Sequence, residues 1–228
     1  MPESESERLR RVYAAYNANA SVHRQFSSRN PGNQEIVSER MQAVRESLAT
    51  FGLLPLSNSR ILEIGCGVGG SLARMISLGA IPDNLYGIDL LPQRIERAQQ
   101  NNAGLKFYCM DAAQTEFRSE MFDIILIFAV FSSVFADDVC CAIGREVTRL
   151  LRHGGAAVWY DIRYGNPWNK NVRPISLADI RRYFPTLRIN LRSLTLLPPI
   201  ARRLPSAYRV LNKLHILRSH WFGLLLKS

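Results

Sequence analysis

Cysteine is scarce in this chain and follows no ligand pattern. The four present, Cys66, Cys109, Cys140 and Cys141, form no CxxC pair, and none of the four histidines (His23, His153, His215, His220) clusters beside them. This argues against a disulfide framework and against a structural zinc site. The thiols read as small buried residues or free thiols, which suits a reducing compartment. Long apolar runs are also missing. The longest, Ile124 to Phe131, is too short to span a bilayer. The start, MPESESERLRR, lacks the apolar centre of a signal peptide, so the expectation is a cytoplasmic protein. Acid is nearly absent from the last third. From Ile162 to Ser228 thirteen Lys/Arg stand against one acid, Asp179, and the net charge of +10 belongs to this part of the chain. An anionic partner on that side is expected: a phosphate-bearing or lipid-linked substrate, or a membrane surface met peripherally. A simply solvated basic face is the alternative. The chain has no recognisable nucleic-acid reader module, so nucleic acid is the least expected partner.

What is present suits one α/β domain: 228 residues, 47% of them hydrophobic. Residues 1–54 read as an N-terminal helical segment, a lid over a site, and 55–228 as the α/β domain with its basic end. Helices are expected over Glu3 to Ala20 and Gln34 to Phe51. The second carries an apolar stripe of Ile36, Val37, Met41, Val44, Leu48 and Phe51. Strands then alternate with helices: RILEI (60–64), a helix over 71–78, NLYGID (84–89), a helix over 91–101, LKFYCM (105–110), FDIILIF (122–128), a helix over 138–151 stopped by His153–Gly155, and AAVWY (156–160). That alternation is the pattern of βαβ units around a parallel sheet. Further on, 176–183 reads as a helix, 187–197 and 220–226 as a strand pair, and 201–217 as a helix on the excursion between them, interrupted by Pro205.

The strongest local signal is ILEIGCGVGG, Ile61 to Gly70. Glycines tolerate positive φ in a tight strand-to-helix turn and let a ligand approach the backbone. The absence of GK[ST] excludes a Walker A loop. The glycines alone leave a nicotinamide-dependent oxidoreductase open. Asp89, at the end of the second strand, is placed to accept hydrogen bonds from a ribose hydroxyl pair, or to cap the next helix. Leu90 can cover an adenine face. Asp111, ending the third strand ahead of Ala112, can meet an adenine amino group or act as a cap.

Taken in order, ILEIGCGVGG, YGIDL, FYCMDAAQ and FDIILIF resemble the class I S-adenosylmethionine (SAM)-dependent methyltransferases over roughly residues 59–161. SSRNPGNQ, SERMQAVRESL and the late LPPIARRL and RSHWFGLLLKS are similar to small bacterial methyltransferases of glycan or natural-product pathways. The resemblance implies a doubly wound, mostly parallel seven-stranded sheet whose last strand is antiparallel. It implies SAM as cofactor, with Glu63 near the methionine moiety, Gly65, Cys66 and Gly67 lining it, Asp89 on the ribose, Leu90 and Ala112 on adenine, Asp111 on its amino group, and Phe128 alongside. The fourth strand does not end in an NPPY-type tetrad, which argues against the usual amino methylation of DNA bases or protein glutamine.

Methyl transfer from a sulfonium depends on orientation and exclusion of water. The expected activity is O-methylation of a small-molecule or glycan hydroxyl. N-methylation of a metabolite and RNA methylation are the alternatives. Ligands bind beyond the carboxyl ends of parallel strands. Asp161 is therefore the expected proton acceptor or orienting group, with His23 in the lid as a second catalytic candidate. Arg163, Tyr164 and Trp168 are the expected substrate contacts, Arg163 for an anionic group. No metal is expected.

Overall fold

A computed structural model of the chain describes residues 3–19, 27–165 and 169–228. His23 and Trp168 lie outside the described residues.

The strands are β1 (Ile61–Ile64), β2 (Leu85–Asp89), β3 (Lys106–Cys109), β4 (Phe122–Phe128), β5 (Leu151–Ile162), β6 (Arg188–Leu196) and β7 (Arg218–Leu226). They form one seven-stranded sheet in the order β3-β2-β1-β4-β5-β7-β6. The first five pair in parallel, and β7 runs antiparallel to both β5 and β6. The order reverses at β1, so a crevice opens at the carboxyl ends of β1 and its neighbours.

Side chains alternate across the sheet, and each face acquires its own core. Ile124, Leu126, Val158 and Tyr160 pack with Val44 and Leu48 of α2 (Pro31–Thr50) and with Ile95 of α4 (Pro92–Asn101). Ile125, Ile127, Ala157 and Trp159 pack with Ile143, Val147 and Leu150 of α5 (Asp137–Leu150) and with Ile180 and Tyr183 of α6 (Leu177–Tyr183). β4 is buried along its whole length, as a central parallel strand must be. The expected doubly wound α/β fold with N-terminal helices is the one observed.

Local chemistry sets the helix starts. Ser4 and Glu7 form a capping box on α1 (Glu5–Ala18). Asn30 caps α2 ahead of Pro31, and Ser176 with Asp179 caps α6.

Two expectations need correction. The helix over 71–78 is one α-helical turn, α3 (Gly70–Ala73), followed by a 3-10 segment from Arg74 to Leu78. His153–Gly155 do not stop a helix. They lie within β5, where Gly154 adopts φ 74° and a register shift separates the pairs Phe122–Leu151 and Ile124–Ala156. In 201–217 the interruption expected at Pro205 is observed. Pro205, which has no amide to donate, divides the segment into α7 (Pro198–Arg203), α8 (Tyr208–Leu211) and 3-10 turns. The bond from Leu197 N–H to the Leu217 carbonyl (2.8 Å) closes the excursion at its base. It docks on α2 so closely that a Cβ on Gly32 would stand 2.1 Å from the Ala201 carbonyl oxygen.

Candidate active site

β1 ends in the glycine turn. Gly65 and Gly69 hold φ of 66° and 81°, and a Cβ at Gly69 would stand 2.6 Å from the Phe107 ring. Both the conformation and the space require glycine. The turn is tied to β2: Cys66 N–H donates to the Ile88 carbonyl (2.9 Å), and Gly67 N–H donates to Asp89 Oδ2 (2.9 Å). Asp89 Oδ1 accepts from Leu91 N–H at 3.0 Å, and Arg94 stands 3.7 Å from Oδ2. One carboxylate thus fixes the glycine turn against the start of α4. Capping and ligand reading are compatible, because each oxygen keeps a further lone pair.

Gly65, Asp89, Leu90, Asp111 and Ala112 line a single cleft of about 750 Å³, part of it open to solvent. Ala129 and Val130, just after β4, close its far side, and Leu9 and Tyr13 of α1 form part of its wall. Arg94 stacks on the Tyr13 ring (4.0 Å), and Tyr13 Oη lies 3.1 Å from Ser133 Oγ. Asp111 Oδ1 also accepts from Ala113 N–H (2.8 Å). Glu63, Cys66, Gly67 and Phe128 lie outside that lining. Cys66 is buried, and burial pushes its thiol up, keeping it protonated.

Glu63 is buried behind the glycine turn, and its Oε2 has no hydrogen-bond partner. Burial pushes its carboxyl up to about 8, against the opposing pull of the Arg40 guanidinium. The consequence for stability has a definite sign. Between the ordinary carboxyl range and pH 8 the native protein keeps a proton that the unfolded chain releases, so stability falls as pH rises through that window. At roughly 1.4 kcal/mol per unit, the effect amounts to a few kcal/mol. Glu63→Gln should therefore gain stability relative to the parent between pH 5 and pH 8 in urea denaturation. Identical pH dependence of the two proteins would refute that account.

Arg40 was not singled out by the sequence. It projects from α2 toward the ends of β4 and β5, with its guanidinium 4.7 Å from the Phe128 ring centre and 5.1 Å from that of Tyr160. Its Nη2 donates to Ser71 Oγ at 3.2 Å, while its Nε is closed off from solvent and unpartnered. Around it lies a buried polar network. Tyr160 Oη donates to Thr195 Oγ1 (3.0 Å), and the Tyr160 ring stacks on His220 at 4.4 Å. His220 Nδ1 lies 2.9 Å from Ser219 Oγ. Burial, and secondarily Arg40, push His220 down to about 3, so its ring is neutral. Thr195 sits at φ 67°, a conformation that costs a non-glycine residue about 1–3 kcal/mol and recurs at functional sites. The signal for Arg40 was its spacing. It falls four residues after Ile36 and four before Val44, inside the apolar stripe.

Asp161 does not reach the cleft. Strand alternation puts it on the face opposite Tyr160, with no exposed surface, accepting from Ser132 N–H (3.1 Å) and Ile162 N–H (2.8 Å). Burial raises it to about 6 against those bonds. It anchors the turn carrying Ser133, a cleft residue. Arg163 packs between Tyr164 and Trp221, at 4.4 and 4.5 Å from their rings, and donates to Tyr164 Oη (2.6 Å). Neither Arg163 nor Tyr164 lines the cleft.

Residues 61–155 match the family model of the methyltransferase domain. A phthiotriol/phenolphthiotriol dimycocerosates methyltransferase of Mycobacterium leprae is 33% identical over 49% of this chain and 40% of its own length. A fatty-acid O-methyltransferase of Mycolicibacterium smegmatis is 34% identical over 50% of this chain and 41% of its own. The chain thus spans about two fifths of the length of these curated relatives. Among solved structures, the N-methyltransferase NodS of Bradyrhizobium japonicum in complex with S-adenosylhomocysteine superposes with a TM-score of 0.68, at 18% identity over 99% of this chain and 100% of that one. Residues 61–155 are thus similar to a methyltransferase domain, and the chain has the fold of the class I methyltransferases.

Proposed function

We propose that this chain transfers a methyl group from SAM to a hydroxyl of a small molecule. The observation that carries the reading is the convergence of Gly65, Asp89, Leu90, Asp111 and Ala112 on one cleft at the carboxyl ends of β1 to β3. The residues present fit the cofactor. Asp89 has lone pairs left for a ribose hydroxyl pair, Leu90 and Ala112 offer apolar surface for a base, and Asp111 can accept from an amino group. At the β1 end, the unpartnered Glu63 Oε2 suits an ammonium group. SAM supplies a methyl group already activated on a sulfonium. The protein then has to bind, orient and keep water out.

Those tasks fall to identifiable residues. Leu9 and Tyr13 of α1 cover the cleft, which supports reading residues 1–54 as a lid continuous with the site. Ala129 and Val130 bound the space toward β4. Asp161 acts by holding the Ser132–Ser133 turn, so we assign it positioning rather than proton transfer. Since one relative is a fatty-acid O-methyltransferase, an apolar acceptor is the natural first class. Leu204, Val210, Leu214 and Ile216 are exposed on the 197–217 excursion beside Arg203, Arg209 and Lys213, which supports peripheral contact with an anionic membrane surface.

The test is calorimetry with SAH, followed by a labelled-methyl screen over fatty acids, phenolic metabolites, glycans, amines and RNA. Saturable SAH binding with label in an oxygen-linked small product is the expected result. Label in an amine or in RNA would replace the O-methylation reading. Absence of SAH binding would overturn the cofactor assignment.

A further inference from the structure

We infer that the 197–217 excursion is a docking element that seats the carboxyl edge of the sheet on an anionic lipid surface. This rests on the peripheral contact proposed above and gives it an element and an orientation.

The excursion leaves the sheet at a defined edge. Leu196, ending β6, pairs with Arg218, opening β7, and Ile162, the last residue of β5, pairs with His220. The connection therefore stands at the carboxyl end of β5. That is the edge at which Gly65, Asp89 and Ala112 line the donor cleft. Docking through the excursion brings this edge toward the bilayer, where an apolar acceptor partitions.

Its inner side is fixed. Ala201 and Tyr208 are buried with Leu196, and Ile36 of α2 packs against them. Tyr208 Oη donates to Glu39 Oε2 (2.7 Å), Asn212 Nδ2 donates to the same carboxylate, and Arg202 Nε donates to Asn33 Oδ1 (2.9 Å). The outer side is held out in consequence. Of the ten large apolar side chains exposed among the described residues, four fall here: Leu204, Val210, Leu214 and Ile216. Val210 and Ile216 are 68% and 77% exposed. Concentrated on one anchored element, they mark an interaction surface.

Charge selects the partner. Arg203, Arg209 and Lys213 are exposed among these apolar residues, and none makes an ion pair with a described residue. Elsewhere in the basic third, Arg182, Arg192 and Lys227 pair with Asp137, Glu46 and Glu120. No acid follows Asp179. A second copy of the chain would set the same patch against itself, cation on cation. A nucleic-acid strand would use the cations but not the aliphatic tips, and Tyr208, the segment's one tyrosine, is buried and offers no stacking surface. An anionic lipid surface uses both. The aliphatic tips enter the acyl boundary while the Arg and Lys heads reach the headgroup phosphates.

Sedimentation with vesicles tests this without SAM or acceptor, so its result is separate from SAH calorimetry, which tests the donor reading. The parent should bind phosphatidylcholine vesicles containing about one third phosphatidylglycerol, lose that binding at high salt, and ignore pure phosphatidylcholine. Arg209→Gln/Lys213→Gln should weaken binding about 30-fold. Val210→Ser/Ile216→Ser should weaken it about tenfold or more. Arg181→Gln/Arg188→Gln removes the same charge from exposed positions in α6 and at the opposite end of β6, and should stay within about threefold of the parent. Thermal melts verify that each variant folds. Parent protein left in the supernatant with anionic vesicles would overturn the inference, and so would full binding by Val210→Ser/Ile216→Ser. Equal losses in the two charge variants would mean diffuse attraction and refute the orientation. Without vesicle binding, a dimer abolished by Val210→Ser/Ile216→Ser, or RNA binding abolished by Arg209→Gln/Lys213→Gln, would give the face to that partner instead.

Discussion

Asp89→Ala should lower affinity for SAH about 100-fold or more, the loss of two charge-assisted hydrogen bonds at roughly 1.5–3 kcal/mol each. The residue is 6% exposed, and its two carboxylate oxygens hold Gly67 N–H and Leu91 N–H. Truncation therefore removes the expected ribose acceptor and at the same time releases the glycine turn from the start of α4. Arg94, 3.7 Å from the carboxylate, loses its counter-charge and would repel nothing in an uncharged ribose, so the deficit comes from lost acceptors rather than new repulsion. Asp89→Asn, which keeps one carbonyl acceptor, should fall between the parent and the alanine variant. Calorimetry with SAH, alongside a thermal melt to verify folding, reads the effect. A folded Asp89→Ala protein that binds SAH at full strength would remove Asp89 from the cofactor site.

Gly144→Ala should destabilise the fold by about 3 kcal/mol, the upper end for overpacking a core. In an exposed helix the same change stabilises by about 1 kcal/mol, since alanine is the better helix former. The sign is set by contact. A Cβ at Gly144 of α5 would stand 2.1 Å from the Tyr183 carbonyl oxygen and 2.9 Å from its carbon, both backbone atoms of α6. Neither can swing aside as a side-chain tip would. Moving α6 would also disturb Asp137, which accepts hydrogen bonds from Tyr183 Oη (2.7 Å) and from Arg173 (2.9 Å). Urea denaturation should give a lower midpoint with an unchanged slope. A raised midpoint would mean that α5 and α6 do not meet at this glycine.

The strands flanking the site were legible because their signals are local. β4 was read at its observed ends, and β1 and β2 to within a residue, since apolar runs there stop at glycine or aspartate. The glycine turn, the acid ending β2 and the acid just after β3 announced a ligand site for the same reason. Strand parity and turn chemistry need no knowledge of distant partners. In the C-terminal excursion the break at Pro205 was legible, but the docking of Ala201 on Gly32 was not, because it is a contact across 169 positions of chain. The start of β5 was missed because a glycine at φ 74° serves a bulge as readily as a helix end.

The active-site chemistry divides along the same line. The sequence by itself determined the α/β class, the succession of strands and helices along the chain and the candidate residues Gly65, Asp89 and Asp111, all of which follow from periodicity and from residues that only certain backbone turns accept. Only the tertiary structure decided that Asp161 is buried on the face opposite Tyr160, and that Arg40 lies against Phe128 and Tyr160. A strand end tells where a side chain begins. Which face it serves, and whether its charge meets a partner, depends on segments that long-range pairing brings together: α2 against β4 and β5, and β7 with His220 beside Tyr160.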